Sequence, residues 1–185
     1  MGQNKLMLNN QTSKIFASQI KQLVILAYGN PSRGDDALGP QLLQQMEMLC
    51  QSKKDIEFIE DFQLQVEHVL DLANGKLVLF IDASVACPPP FAFTQLQPQP
   101  DITYTSHALH PAAVLYAYQQ VYHQLPPPAF LLTVRGETFE LGEPLSKSAT
   151  IHLTATLEFV KQLCQVIDVN AWQKQMDDVY SVGTR

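Results

Sequence analysis

Residues 22–49, QLVILAYGNPSRGDDALGPQLLQQMEML, decide the fold class. The run Gln22–Tyr28 is apolar and β-rich, and Gly29-Asn30-Pro31 stops it, because proline offers no amide hydrogen to a ladder and glycine accepts turn geometry. From about Ala37 to Leu49 the pattern reads as a helix. Strand, turn and helix in that order make one βα unit.

The alternation repeats outward from this unit. Asp55–Asp61 (DIEFIED) alternates polar and apolar residues as a half-buried strand does, and Val66–Ala73 reads as a short helix closed by Asn74-Gly75. Leu77–Ile81 (LVLFI) is a continuous apolar run, fit for a strand covered on both faces. Asp82 then follows it into a loop. Beyond Pro88-Pro89-Pro90, Phe91–Gln97 reads as an edge strand. Pro111 suits the first turn of a helix reaching about His123, where its missing N–H goes unneeded. Ala129–Val134 is the fifth strand, and Ser146 is the expected N-cap of a last helix from Lys147 to about Ile167. Such alternation predicts an α/β domain, a largely parallel sheet with helices on both faces. One domain spans residues 22–169, with an N-terminal extension over 1–21 and a peripheral tail over 170–185.

Length and composition agree. At 185 residues the chain suits one domain, and 46% hydrophobic against 16% charged residues is a globular balance. The formal charge is −6; without a Lys/Arg cluster, nucleic acid is repelled rather than bound by counterion release. The longest apolar stretches, Leu77–Ala86 and Pro126–Val134, fall far short of the roughly 20 residues that span a bilayer. No membrane partner is expected. Residues 1–21 lack the continuous apolar core of a secretory signal, since Asn9, Asn10, Gln11, Ser13 and Lys14 interrupt it. Cys50, Cys87 and Cys164 are isolated and odd in number, which argues against a disulfide framework and for a reducing cytoplasm.

In an open α/β sheet, ligands bind beyond the carboxyl ends of the strands. Three such turns carry candidate groups. Asp35 and Asp36 follow the first strand, and adjacent acids there either open a helix as cap and first-turn charge or serve a site. Asp82 ends the central strand, where a carboxylate must be hydrogen-bonded, paired or metal-bound, although an Asx-turn would also satisfy it. His107 precedes the Pro111 helix, with His110 competing for its role and a plain structural role open to both. His68, His123 and His152 have no evident partner and read as ordinary surface or boundary residues. Asp36, Asp82 and His107 together offer two oxygens and one nitrogen at neighbouring strand ends, an open set suited to a borderline divalent metal such as nickel or zinc. Cys87 is an isolated thiol without a marker of reactivity, and no G-x-S-x-G elbow occurs. The phosphate-loop patterns are missing too.

The stretch Leu26–Pro40, with its core G-N-P-S-R-G-D-D-A-L-G-P, resembles the N-terminal motif of the hydrogenase maturation endopeptidases. The likeness continues through Glu60-Asp61-Phe62, Glu67-His68-Val69-Leu70, Phe80-Ile81-Asp82-Ala83 and Ser106-His107-Ala108-Leu109, covering roughly residues 23–165. It implies a phosphorylase/hydrolase-like three-layer α/β/α sandwich with a mostly parallel five-stranded sheet. It also implies an endopeptidase that removes the C-terminal extension of a hydrogenase large-subunit precursor. The family's metal-binding positions fall on Asp36, Asp82 and His107, nickel is held by the substrate and contacted by the enzyme, and no attacking side chain is assigned. Asp61-Phe62-Gln63 departs from the family's glycine-rich turn, and His110 is a second histidine beside the expected one. A metal-dependent hydrolase of a small molecule and a non-catalytic chaperone of the large subunit are the alternatives.

Overall fold

The computed structural model of the chain describes residues 20–100 and 109–182, with side chains through Asp178. Strand β1, Leu23–Tyr28, is buried along nearly its whole length, and this is why its sequence is continuously apolar rather than alternating. A single 3-10 turn, Gly34–Ala37, leads into helix α1, Leu38–Leu49. Strand β2, Ile56–Asp61, is half-buried and alternates accordingly. Next come a 3-10 turn at Val66–His68 and the one-turn helix α2, Val69–Leu72, where the sequence suggested one continuous short helix. Strand β3 is Val78–Ser84, β4 is Phe91–Leu96 and β5 is Ala129–Arg135. Helix α3 spans Pro111–Tyr122, α4 Lys147–Gln165 and α5 Val169–Val182.

The sheet order is β2-β1-β3-β5-β4, parallel throughout except that β4 runs antiparallel to β5 at one edge. Alternate residues of each inner strand face opposite layers. Leu23, Ile25 and Ala27 of β1 join Leu79 and Ile81 of β3 and Phe130, Leu132 and Val134 of β5 against α1 and α4. Val24, Leu26, Val78 and Phe80 pack against α2 and α3. The result is the expected α/β/α sandwich around a five-stranded, mostly parallel sheet.

Two expectations change. Asp82 lies within β3 rather than after it, because the ladder to β5 continues through Asp82↔Thr133 as far as Ser84↔Arg135. The residues after Asn170 are not peripheral. They belong to α5, whose Trp172 is 0% exposed and packs edge-on to Phe93 and Phe130. Its Nε1–H donates to the Val166 carbonyl at 2.9 Å just past the end of α4, so α5 covers edge strand β4 and binds the exit of the preceding helix. Among the described residues, no helix is long and apolar enough to cross a membrane.

Candidate functional site

The carboxyl ends of β1 and β3 meet at the middle of the sheet, and the loop after β1 folds back over its own strand. Gly29 permits this. Its φ is 145°, and a Cβ there would lie 2.1 Å from the Asp36 carbonyl oxygen, so a side chain would drive the loop off the strand. Asp36 Oδ2 accepts the Asn30 N–H at 2.8 Å, which holds the carboxylate above the end of β1. On β3, Asp82 Oδ1 accepts the Ala83 N–H at 2.8 Å. Burial is the main reason that the Asp82 pKa is pushed up to about 6. The negative charge of Asp36 raises it further, while the Ala83 amide and the Tyr28 hydroxyl act in the opposite sense. The fold therefore brings Asp36 and Asp82 together, as the sequence suggested.

His107, the third expected donor, lies outside the described residues. Among the described residues, no group of three His, Cys, Asp or Glu side chains could hold a metal ion. What they contribute is a pair of carboxylates, one of them buried and raised in pKa. Such a pair suits a hard or borderline divalent ion, because an ion offsets both the burial of the Asp82 carboxylate and the negative charge of Asp36 beside it.

No protein-family model and no curated protein matches the sequence. Solved structures do match the fold. The NiFe hydrogenase maturation protease HycI from Thermococcus kodakarensis KOD1 is 19% identical, with a TM-score of 0.61 over 84% of this chain and 99% of that one. The hydrogenase maturating endopeptidase HybD from E. coli is 20% identical, with a TM-score of 0.57 over 75% of this chain and 89% of that one. The endopeptidase HycI from Escherichia coli is 15% identical, with a TM-score of 0.53 over 77% and 90%. This chain shares their fold.

The neighbouring acid, Asp35, has another task. It is 0% exposed. Its Oδ2 accepts from the amides of Glu137 at 2.7 Å and Thr138 at 3.1 Å and from Ser146 Oγ at 2.9 Å, and its Oδ1 accepts the Ser146 N–H at 2.7 Å. Burial alone would raise its pKa, but the amides of Ser146, Glu137 and Thr138 and the Ser146 hydroxyl outweigh that and hold it below the usual value. Neither acid caps the helix that follows: Asp35 reaches across to Glu137, Thr138 and Ser146, and Asp36 turns back to Asn30 in its own loop.

The histidines also sort themselves. His110 is the N-cap of α3, its Nδ1 accepting the Ala112 N–H at 3.2 Å, so a structural duty accounts for it. His68 is not a surface residue: it is 6% exposed, and its Nε2 lies 3.5 Å from Asp61 Oδ2. The 3-10 turn at Val66–His68 folds the ring back onto the end of β2, where its Nδ1 also meets the Gln65 N–H at 2.9 Å. His152 Nδ1 lies 2.8 Å from the Arg135 carbonyl, and His123 terminates α3 in the left-handed conformation, φ 52°.

Beside Asp36, at the end of β2, a groove of about 300 Å³ is lined by Gly29, Pro31, Glu60, Asp61 and Phe62. Phe62 is 68% exposed at its rim. Cys87 stands on the other side, buried, its thiol donating to the Thr133 carbonyl at 3.1 Å. Burial raises its pKa, as expected of an inert thiol.

Two residues here were not singled out from sequence. Tyr28 brings a buried hydroxyl next to Asp82, and the only signal was a polar atom at the last position of an apolar strand. Arg135, at the end of β5, donates through Nη1 to the Cys87 carbonyl at 3.0 Å and keeps a buried Nε without a partner. A cation directly after an apolar strand was its signal.

Proposed function

We propose that the chain is a hydrogenase maturation endopeptidase, which removes the C-terminal extension of a nickel-loaded hydrogenase large-subunit precursor. The observation that carries this is the pairing of Asp36 and Asp82 at the central strand ends, in a fold shared with structures named as hydrogenase maturation proteases. The motif resemblance of residues 26–40 and 80–83 supports the reading, since it implies that the family's metal-contact positions fall on those same two acids, with His107 as the third.

In this reading nickel belongs to the substrate. Asp36, Asp82 and His107 add two oxygens and a nitrogen to an ion already held by the precursor, and so fix the scissile bond beside the strand ends. A water attacks the peptide carbonyl, the C–N bond breaks, and the products are a carboxylate and an amine. An ion held by the precursor and contacted by Asp36, Asp82 and His107 would act as a template and could supply Lewis-acid chemistry at the scissile bond. Three side chains, two of them carboxylates and none a thiolate, make only a moderately strong site. The free protein is expected to carry little tightly bound metal, and the enzyme to distinguish loaded from empty precursor by the affinity that the ion adds. Three free, buried cysteines fit a reducing cytoplasm as the place of reaction.

The test is mass spectrometry of a large-subunit precursor incubated with the protein. Release of one C-terminal peptide from nickel-loaded precursor, and none from nickel-free precursor in chelator-treated buffer, is the expected result. Binding without shortening would identify a chaperone. A stoichiometric metal ion retained by the purified protein, with the precursor left intact, would identify a small-molecule hydrolase. Efficient cleavage of nickel-free precursor would refute nickel recognition and leave the peptidase.

A further inference from the structure

Tyr28 is the last residue of β1. Strands β1 and β3 run parallel with Ala27 opposite Ile81, so that Tyr28 and Asp82 come next at neighbouring strand ends. Alternation turns both side chains to the face where Val24, Leu26, Val78 and Phe80 are buried, and the Tyr28 ring packs against that layer. The hydroxyl oxygen is buried and closes no hydrogen bond of good geometry with any group among the described residues. A buried hydroxyl without a partner is unfavourable, and phenylalanine would pack there without that cost. The carboxyl on which the hydroxyl acts is Asp82. Because Asp82 Oδ1 already accepts the Ala83 N–H at 2.8 Å, Oδ2 is the atom left for the phenol.

We propose that Tyr28 is a positioning residue for Asp82: its hydroxyl donates to Oδ2 when Asp82 takes a divalent metal ion, and so fixes the lone pair that the carboxylate presents to that ion. This rests on the ligand role given to Asp82 above. A carboxylate held by donors at both oxygens cannot swing away from the ion, and hydrogen-bond partners of metal ligands typically matter by roughly 10–100-fold in affinity. The same strand end then orients both acids, since the next residue, Gly29, is the one against which Asp36 is seated.

The test is calorimetric titration of nickel(II) chloride into the full-length protein, with melting temperatures measured alongside. Tyr28→Phe should bind nickel(II) roughly 10–100-fold more weakly while melting close to the wild-type temperature, because the phenyl ring keeps the packing of this layer. Tyr118→Phe alters a phenol in the same layer whose oxygen accepts from Gln124, and it should keep the wild-type affinity. Wild-type nickel affinity in Tyr28→Phe overturns the proposal. So does weaker binding accompanied by a lower melting temperature or failure to fold, which would make Tyr28 a packing residue, and so does the lack of any nickel isotherm in the wild type. If the wild type binds nickel and Tyr28→Phe weakens it as stated, yet no precursor is shortened, the peptidase reading falls and the role of Tyr28 stands.

Discussion

Asp35 and Asp82 are both carboxylates at the carboxyl edge of one sheet, and their surroundings differ in almost every respect. Asp35 receives four hydrogen bonds and is held below its usual pKa. Asp82 receives one backbone amide, faces a second acid and is pushed up to about 6. A carboxylate that serves the fold is surrounded by donors, and the shortage of donors around Asp82 is what the proposed ligand role requires. Asp36, one residue from Asp35, falls on the second side of that division, since its strand-end position is secured by one amide, that of Asn30.

The comparison breaks most visibly if the two kinds of acid respond alike to truncation. Asp36→Ala and Asp82→Ala should fold normally and lose precursor processing by about 100-fold or more, as expected when ligands to a reacting centre are removed. Initial rates of extension release give the number. Processing near the wild-type rate in either variant removes that residue from the site.

Asp35→Ala should instead act on stability, because the amides of Glu137, Thr138 and Ser146 are orphaned together. A loss of about 3 kcal/mol or more is expected in urea unfolding. The pH dependence has a definite sign. The folded-state pKa lies below the unfolded one, so the stabilisation is complete above about pH 4 and is lost as pH falls through the folded value. Asp35→Asn should flatten that acid limb. An unchanged acid limb would show that the cradle around Asp35 contributes nothing through its charge.

The two histidines that precede α3 in the sequence give a smaller contrast. His110→Ala should cost about 1 kcal/mol as a lost N-cap and leave processing largely intact, whereas His107→Ala should abolish it. The reverse ranking would move the nitrogen donor to His110. The smallest effect is expected at Cys87. Its single thiol proton has the Thr133 and Pro88 carbonyls within reach as acceptors, and burial raises its pKa, so Cys87→Ser should process precursor at close to the wild-type rate. Loss of activity confined to an alkylated Cys87 thiol would contradict this.

The division between the two regions also separates what was legible in the sequence from what was not. The inner strands could be located because burial on both faces demands continuous apolar runs, as in Leu23–Ala27 and Leu77–Ile81. Asp36 and Asp82 could be picked out as candidates because strand-end acids are conspicuous after such runs. The role of Asp35 was hidden, since its partners lie 102–111 residues further along the chain, and no local pattern distinguishes it from a helix cap. Trp172 was hidden for a similar reason: its helix is mostly polar and declares its core face only once Phe93 and Phe130 are in place. His68 lies seven residues from Asp61, but the 3-10 turn that joins them has no periodicity to read. The last strand residues, Asp82 to Ser84, are polar or small and extend β3 only because β5 offers a ladder.

The most direct measurement is a paired one on Asp82→Asn, taking the melting temperature of the free protein and its rate of precursor processing side by side. Because the folded-state pKa of Asp82 lies above the unfolded one, folding stability falls as pH rises toward and through about 6, by at most on the order of 3 kcal/mol. The isosteric amide carries no charge, so Asp82→Asn should melt higher than the wild type at pH 7.5 or so, with the gap closing toward about pH 4. Its processing of nickel-loaded precursor should be lost. A protein that gains stability by losing its function is what a carboxylate held in reserve for a metal predicts. A lower melting temperature at neutral pH, or processing at the wild-type rate, contradicts it.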